Sequence, residues 1–315
     1  MRLQLLYVAD CPNAPVLLAR LREVGAGPIE ELVVRDPDEA ATAAMTGSPT
    51  LLVGGVDPFA TPGETPSLSC RLYRDEIGTP AGVPSVAQLR AVLGEQVSTS
   101  KWRAEGTGAR QAALPRRLRQ LHQKLLMHFL DRGAPPSRDW LDERATELGL
   151  DPDPAVTRLA AEDLVHIDEG TVSVAYPFSG VARGHRVELG GTRVEAMCAI
   201  DALGVPQLAA RNATITATDP PSGQRVRVEV RGGEWQWTPA STVVLVAGTT
   251  GTGTSAACTC GHVNFYSHAE QAWAYLGVHP DLVGRVLDQP TAVELAGAVF
   301  GGLLPPKIKR IRRMR

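Results

Sequence analysis

Two short segments of the chain concentrate side chains able to do thiol chemistry. The first is Glu195–Pro206, where Cys198 and Asp201 stand three residues apart. Its apolar content predicts a helix, and an i, i+3 spacing puts thiol and carboxylate on one face, about one turn apart. The second is Ala257–Tyr266, in which Cys258, Cys260 and His262 follow a Gly/Thr-rich loop over residues 248–254. Several chemistries fit these residues. A helical cysteine is often a small buried hydrophobe, and an aspartate three positions on is often a solvated charge. Zinc would use Cys258, Cys260 and His262 with Cys198 as a fourth ligand, although C-x-C-x-H lacks the usual pair of C-x₂₋₄-C clusters. A cysteine hydrolase would pair Cys260 with His262, but nothing else in the chain suggests acyl transfer. The loop lacks the Gly-Lys-Ser/Thr ending of a phosphate-binding P-loop and reads as a flexible connection.

These segments need elements to hold them. Leu3–Val8 is a short apolar strand, and Val16, Leu17, Leu18, Leu21 and Val24 give the next segment a helical stripe. A strand over Ile29–Val34, a short helix over Glu39–Met45, a strand over Gly47–Val53 and a helix over Pro84–Leu93 complete a unit of residues 1–95. This order resembles the thioredoxin fold. That resemblance implies a cysteine at a helix N-terminus, where the dipole favours thiolate, and a cis-proline beside it. Cys11 and Ser48-Pro49 are the matching positions. The motif is Cys11-Pro-Asn-Ala14 rather than C-x-x-C, so a dithiol cycle within it is impossible, and Cys70 is a distant second thiol.

Residues 96–115 are polar and Gly-rich and read as a linker. Residues 116–175 predict three helices, the second capped by Ser137, followed by a hairpin turning at Glu169-Gly170. This is a winged-helix-like pattern. Its third helix carries Asp153, Glu162 and Asp163 against Arg158, the wrong sign for a phosphate-facing helix. Residues 176–305 supply alternating strands at Ala213–Thr218 and Arg225–Arg231, joined by a turn at Asp219–Gly223. A strand at Val243–Ala247 and helices at His268–Leu276 and Ala292–Leu303 follow. Residues 306–315 are a basic tail. The fold class read from this order is α+β multidomain, with an α/β module in front, a helical unit, and a mixed or antiparallel β-sheet core with helices.

The bulk figures suit such a reading. The 315 residues are 43% hydrophobic and 21% charged, with net charge −2, which argues against nucleic-acid and membrane partners. No run reaches the roughly 18 apolar residues of a membrane span, and the N-terminus does not read as a signal peptide. A cytoplasmic setting, with its five cysteines reduced, is expected.

Cys198-Ala-Ile-Asp201-Ala-Leu-Gly-Val-Pro206 resembles the Cys-Ala-x-Asp-x-Leu-x-x-Pro helix of the organomercurial (alkylmercury) lyases. Cys260-Gly-His-Val-Asn-Phe-Tyr266 resembles that family's second-cysteine segment, in matching order and separation. The resemblance covers about residues 116–300 and places a thioredoxin-like module in front of a lyase. It implies that Cys198, Cys260 and Asp201 bind mercury and break its bond to carbon, with no organic cofactor and Hg²⁺ as product. Its implied partners are an organomercurial substrate, low-molecular-weight thiols and a mercuric reductase. Accessory roles for Cys258, Cys11 and Cys70 stay open. The family often has a further, structural cysteine between the two motifs; the matching turn at Asp219–Gly223 has none. Two other functions remain in view. One is a metal- or thiol-responsive binding protein on a lyase-like scaffold, and the other a thiol-disulfide oxidoreductase.

Overall fold

The computed structural model describes residues 3–24, 26, 29–61, 63–74, 78–93, 106–249, 254–255, 259–279 and 281–305. Their structure is mixed α+β with several sheets. In chain order the first elements are β1 (Leu3–Tyr7), α1 (Ala14–Glu23), β2 (Ile29–Val33), α2 (Pro37–Thr42), β3 (Thr50–Val53), β4 (Tyr73–Arg74), β5 (Pro80–Ala81) and α3 (Val86–Leu93). Next come α4 (Thr107–Ala112), α5 (Arg116–Arg132), α6 (Arg138–Glu147), α7 (Pro152–Ala161), β6 (Val165–Asp168), β7 (Thr171–Ala175), β8 (Phe178–Ser179), β9 (His185–Leu189) and β10 (Thr192–Ala196). The last are α8 (Ala199–Ala209), β11 (Ala213–Thr218), β12 (Arg225–Arg231), β13 (Glu234–Thr238), β14 (Val243–Thr249), β15 (Asn264–Tyr266), α9 (Ala269–Val278), β16 (Leu282–Leu287) and α10 (Gln289–Phe300).

The chain divides into two compact units. The first draws on Met1–Val97, Leu245–Thr250 and His268–Val286. Its leading sheet has the order β2-β1-β3, with β1 parallel to β2 and antiparallel to β3. Alternation along β1 sends Leu3 and Leu5 to one face, where they pack with Leu17 and Leu21 of α1 and Leu89 of α3. Leu6 faces the other way, toward Ala40, Met45 and Leu52. Asp36 caps α2 by accepting from the Glu39 N–H at 2.8 Å. The Ser48-Pro49 bond is cis, the conformation expected at this position. Trp273 of α9 is buried in the same cluster as Leu3 and Leu5. The sequence grouped this helix with residues 176–305; its apolar side instead covers the first unit's core.

The second unit draws on Ser98–Val244, Gly251–Ser267 and Leu287–Arg315. Its centre is an eight-stranded sheet in the order β13-β12-β11-β9-β10-β8-β7-β6. The hairpin expected at Glu169-Gly170 is β6–β7, and both turn residues have positive φ. A boundary at 175/176 falls inside this sheet, because β7 pairs with β8 across it. Leu118, Leu121, Leu125, Leu126, Phe129 and Leu130 form a buried stripe on α5, and Gly133 at φ 75° ends the helix. Ser137 caps α6 by accepting from Trp140 N at 3.3 Å. Part of the expected linker is helical: α4 buries Thr107 and Gln111, and the Gln111 amide meets His122 Nδ1 at 2.9 Å. Polar composition suggested a linker there, but two polar side chains found buried positions. The rest of that segment, residues 96–105, and the basic tail lie outside the described residues.

Helix α8 is buried along nearly its whole length, as its apolar sequence requires. It packs closely against α10. A Cβ built on Gly204 would overlap the Phe300 ring, so only glycine permits this approach. Gln207 fixes the pair by donating to Val293 O at 3.0 Å. Among the described residues, no helix is long and apolar enough to cross a membrane.

Candidate active site

Strand β10 ends at Ala196, and Cys198 stands two residues beyond it in extended backbone, φ −156° and ψ −178°. The sequence reading placed Cys198 inside a helix. The structure makes it the N-cap of α8 instead, because the strand runs to Ala196 and the helix begins only at Ala199. Asp201 is then the third helical residue. The expected proximity survives through a different geometry, that of an N-cap facing N3. The Asp201 N–H points to Cys198 Sγ at 3.5 Å, and the Cys198 thiol donates to Asp201 Oδ2 at 2.7 Å. The Cys198 carbonyl accepts from Ala202 N at 2.9 Å, the first bond of the helix.

Cys260 opens a 3₁₀ turn over Cys260–His262 that leads into β15. The Val263 carbonyl accepts from Ala199 N at 3.1 Å. One of the unpaired donors of the α8 N-terminus is thereby met by the Cys260 segment, and the two motifs are fastened together. Ligand atoms of Cys198, Asp201 and Cys260 all lie within 4.8 Å of one another. The three residues are 4%, 3% and 8% exposed, so the site is nearly dry.

Burial governs the protonation of this site. It lifts the Asp201 carboxyl to about 7, against a smaller lowering from the Cys198 thiol that donates to it. Burial, with Cys260 and Asp201 adjacent, holds the Cys198 thiol well above its ordinary value. The helix N-terminus favours a thiolate at Cys198, but loss of water outweighs it. The resting site therefore holds protons: a neutral thiol at Cys198, hydrogen-bonded to a carboxyl that burial has raised to about 7. Two sulfurs and one oxygen suit a soft, thiophilic ion that tolerates low coordination.

Besides this group, the sequence offered His262, Cys258, Cys11 and Cys70 as candidates. His262 is not a member of it. Cys258 lies outside the described residues. Cys11 is buried just ahead of α1, and Cys70 is exposed and bridges to Ser48. Ser48 Oγ also accepts from Val8 N, and Cys11 N donates to Val8 O, so both cysteines flank Ser48-Pro49. Sequence reasoning passed over His185. It faces Ala196 across β9–β10, is buried, and lies 5.9 Å from the Phe265 ring. Burial lowers its pKa to about 4, and its Nδ1 has no hydrogen-bond partner among the described residues. The only sequence signal was a histidine at an inward position of an alternating strand.

Residues 178–301, which hold all three grouped side chains, match the family model described as MerB: Alkylmercury lyase. An alkylmercury lyase of Staphylococcus epidermidis is 28% identical over 187 residues, which is 54% of this chain and 86% of that protein. The crystal structure of the mercury-bound form of MerB2 superposes with a TM-score of 0.55 at 20% identity. It covers 65% of this chain and 99% of that one, and speaks to the fold. Through the domain that brings Cys198 and Asp201 against Cys260, this chain is similar to the alkylmercury lyases.

Proposed function

We propose that this chain cleaves the carbon–mercury bond of R–Hg–X by protonolysis, giving R–H and Hg²⁺. The observation that carries this is the buried group of Cys198, Asp201 and Cys260, with ligand atoms within 4.8 Å of one another, in the family-matched domain. Mercury binding to a thiol lowers that thiol's proton affinity. The Cys198 proton then passes along its existing 2.7 Å hydrogen bond to Asp201. Cys260 adds a second thiolate, which pushes electron density through mercury and makes the bound carbon basic. Asp201 returns the proton to that carbon and R–H departs. The balance is R–Hg–X plus two thiols giving R–H, a mercury dithiolate and HX.

Burial serves the proton transfer, since a carboxyl at about 7 can both accept from a thiol and donate to carbon. External low-molecular-weight thiols carry the Hg²⁺ away, and a reductase for mercuric ion is the class of enzyme that would consume it. In the front unit, the β2-β1-β3 order and the cysteine ahead of α1 support a thioredoxin-like reading. There Cys11 and Cys70 would accept Hg²⁺ or keep the lyase thiols reduced. Helices α5–α7 with the β6–β7 hairpin support a winged-helix-like unit in a structural role.

The test is Asp201→Ala. It should bind Hg²⁺ through both thiols while hydrocarbon release from an arylmercurial falls by about 10²-fold or more. Release at the wild-type rate would remove Asp201 as the proton carrier.

A further inference from the structure

The segment that carries Cys260 is fastened at both ends by the same device. At its start, Ser255 donates its backbone N–H at 3.2 Å and its hydroxyl at 2.7 Å to Asp163 Oδ2. At its end, Ser267 donates its backbone N–H at 3.0 Å and its hydroxyl at 2.5 Å to Asp219 Oδ2. The two carboxylates come from elsewhere in the sequence, 92 and 48 residues away.

Asp163 sits at the corner between α7 and β6 with φ 50°, a left-handed conformation that aspartate tolerates better than most residues. Its Oδ1 meets His166 Nε2 at 3.0 Å, and Arg110 Nη1 shares Oδ2 at 3.0 Å, so the carboxylate is itself held in place. Asp219 occupies the β11–β12 turn and is fully buried, and its Oδ1 has no hydrogen-bond partner among the described residues. Burying a carboxylate with one oxygen unmet is costly. A turn aspartate usually faces water. This one is turned inward onto Ser267.

Thr259 N donates to Ser255 O at 3.0 Å, and His262 N to Thr259 O at 2.9 Å. Val263 O receives Ala199 N from the helix that Cys198 caps. Asp163 thus reaches Cys260 through Ser255 and Thr259, and Asp219 fixes the far end. Closing two thiolates on one mercury depends on the second sulfur being held at high effective concentration beside the first.

We infer that Asp163 is a positioning residue for the reaction. Through Ser255 it holds the segment that brings Cys260 to Cys198, with Asp219 as the fixed end against which it works. This rests on the proposed lyase chemistry, but its first readout does not. Hg²⁺ retention against a small competing dithiol measures the thiol pair whether or not carbon is released.

The experiment uses the full chain with Ser255→Ala, Ser255→Thr, Asp163→Asn and the double variant Asp163→Asn/Ser255→Ala. Ser255→Ala should weaken Hg²⁺ retention about tenfold, the size of one hydrogen bond to a charged group. The kcat for an arylmercurial should fall by a similar factor with KM little changed, because capture by one thiol persists. The melting temperature should stay near wild type, and Ser255→Thr should recover most of the loss. The losses in the two single variants should not add in the double variant. Wild-type Hg²⁺ retention in Ser255→Ala, additive losses, or losses that follow the melting temperature without rescue by threonine would overturn the assignment. If wild type retains Hg²⁺ on both thiols yet releases no hydrocarbon, the lyase reading fails, and the retention data still decide the role of Asp163.

Discussion

At the scale of single residues, the site turns on one carboxyl and what burial does to it. Asp201 rises from 3.8 to about 7, with loss of water as the main cause. Between those values the folded chain holds a proton that the unfolded chain has released. Stability is therefore lost as pH climbs from about 4 through about 7, and the loss is constant above that. Asp201→Asn removes this term. The variant should gain on wild type across that window, by an amount on the order of a few kcal/mol, read as denaturant midpoints of both proteins at pH 4.5 and pH 8. A difference independent of pH would contradict the raised carboxyl. Much of this was legible in the sequence. Cys198, Asp201 and Cys260 stand out by residue type and motif. Asp163 and Asp219 were not legible as parts of the site. One read as a surface charge on an acidic helix and the other as a turn residue, since their partners, Ser255 and Ser267, are 92 and 48 residues away.

At the scale of elements, the site depends on where α8 begins and on what covers it. Spacing alone put Cys198 and Asp201 on one helix face. The structure shows a strand that ends, a capping thiol and a helix that starts at Ala199. An i, i+3 pair looks the same in both descriptions, so sequence could not separate them. The cap geometry matters, because it lets the thiol meet both the Asp201 N–H and its carboxylate. What covers α8 is α10, and Gly204 sets their separation. Gly204→Ala drives a methyl into Phe300 and should cost about 1–3 kcal/mol of stability as overpacking. Adding Phe300→Leu should restore part of it. Equal denaturation midpoints for wild type and Gly204→Ala would show that the helices can part without cost. Hairpins β6–β7 and β11–β12 were read correctly, because alternation and turn residues are local signals. The role of α4 was missed, because its burial comes from long-range packing.

At the scale of the whole molecule, the sequence suggested consecutive blocks, and the two compact units are not consecutive. The first unit takes in α9, whose Trp273 joins the Leu3 and Leu5 cluster. Periodicity can show that a helix has an apolar side but not which core that side will meet. Cys11 and Cys70 both lie in the first unit. If they accept Hg²⁺ or keep the Cys198 and Cys260 thiols reduced, Cys11→Ala/Cys70→Ala should slow turnover severalfold at limiting external thiol and leave it unchanged at saturating thiol. Equal rates at limiting thiol would leave the unit without a chemical part in the cycle. Whether the chain breaks carbon–mercury bonds is decided by incubating the protein with an arylmercury salt and excess thiol and measuring both products. Benzene and Hg²⁺ released in equal amounts over many turnovers is the predicted result; mercury held on Cys198 and Cys260 with no benzene formed would contradict it.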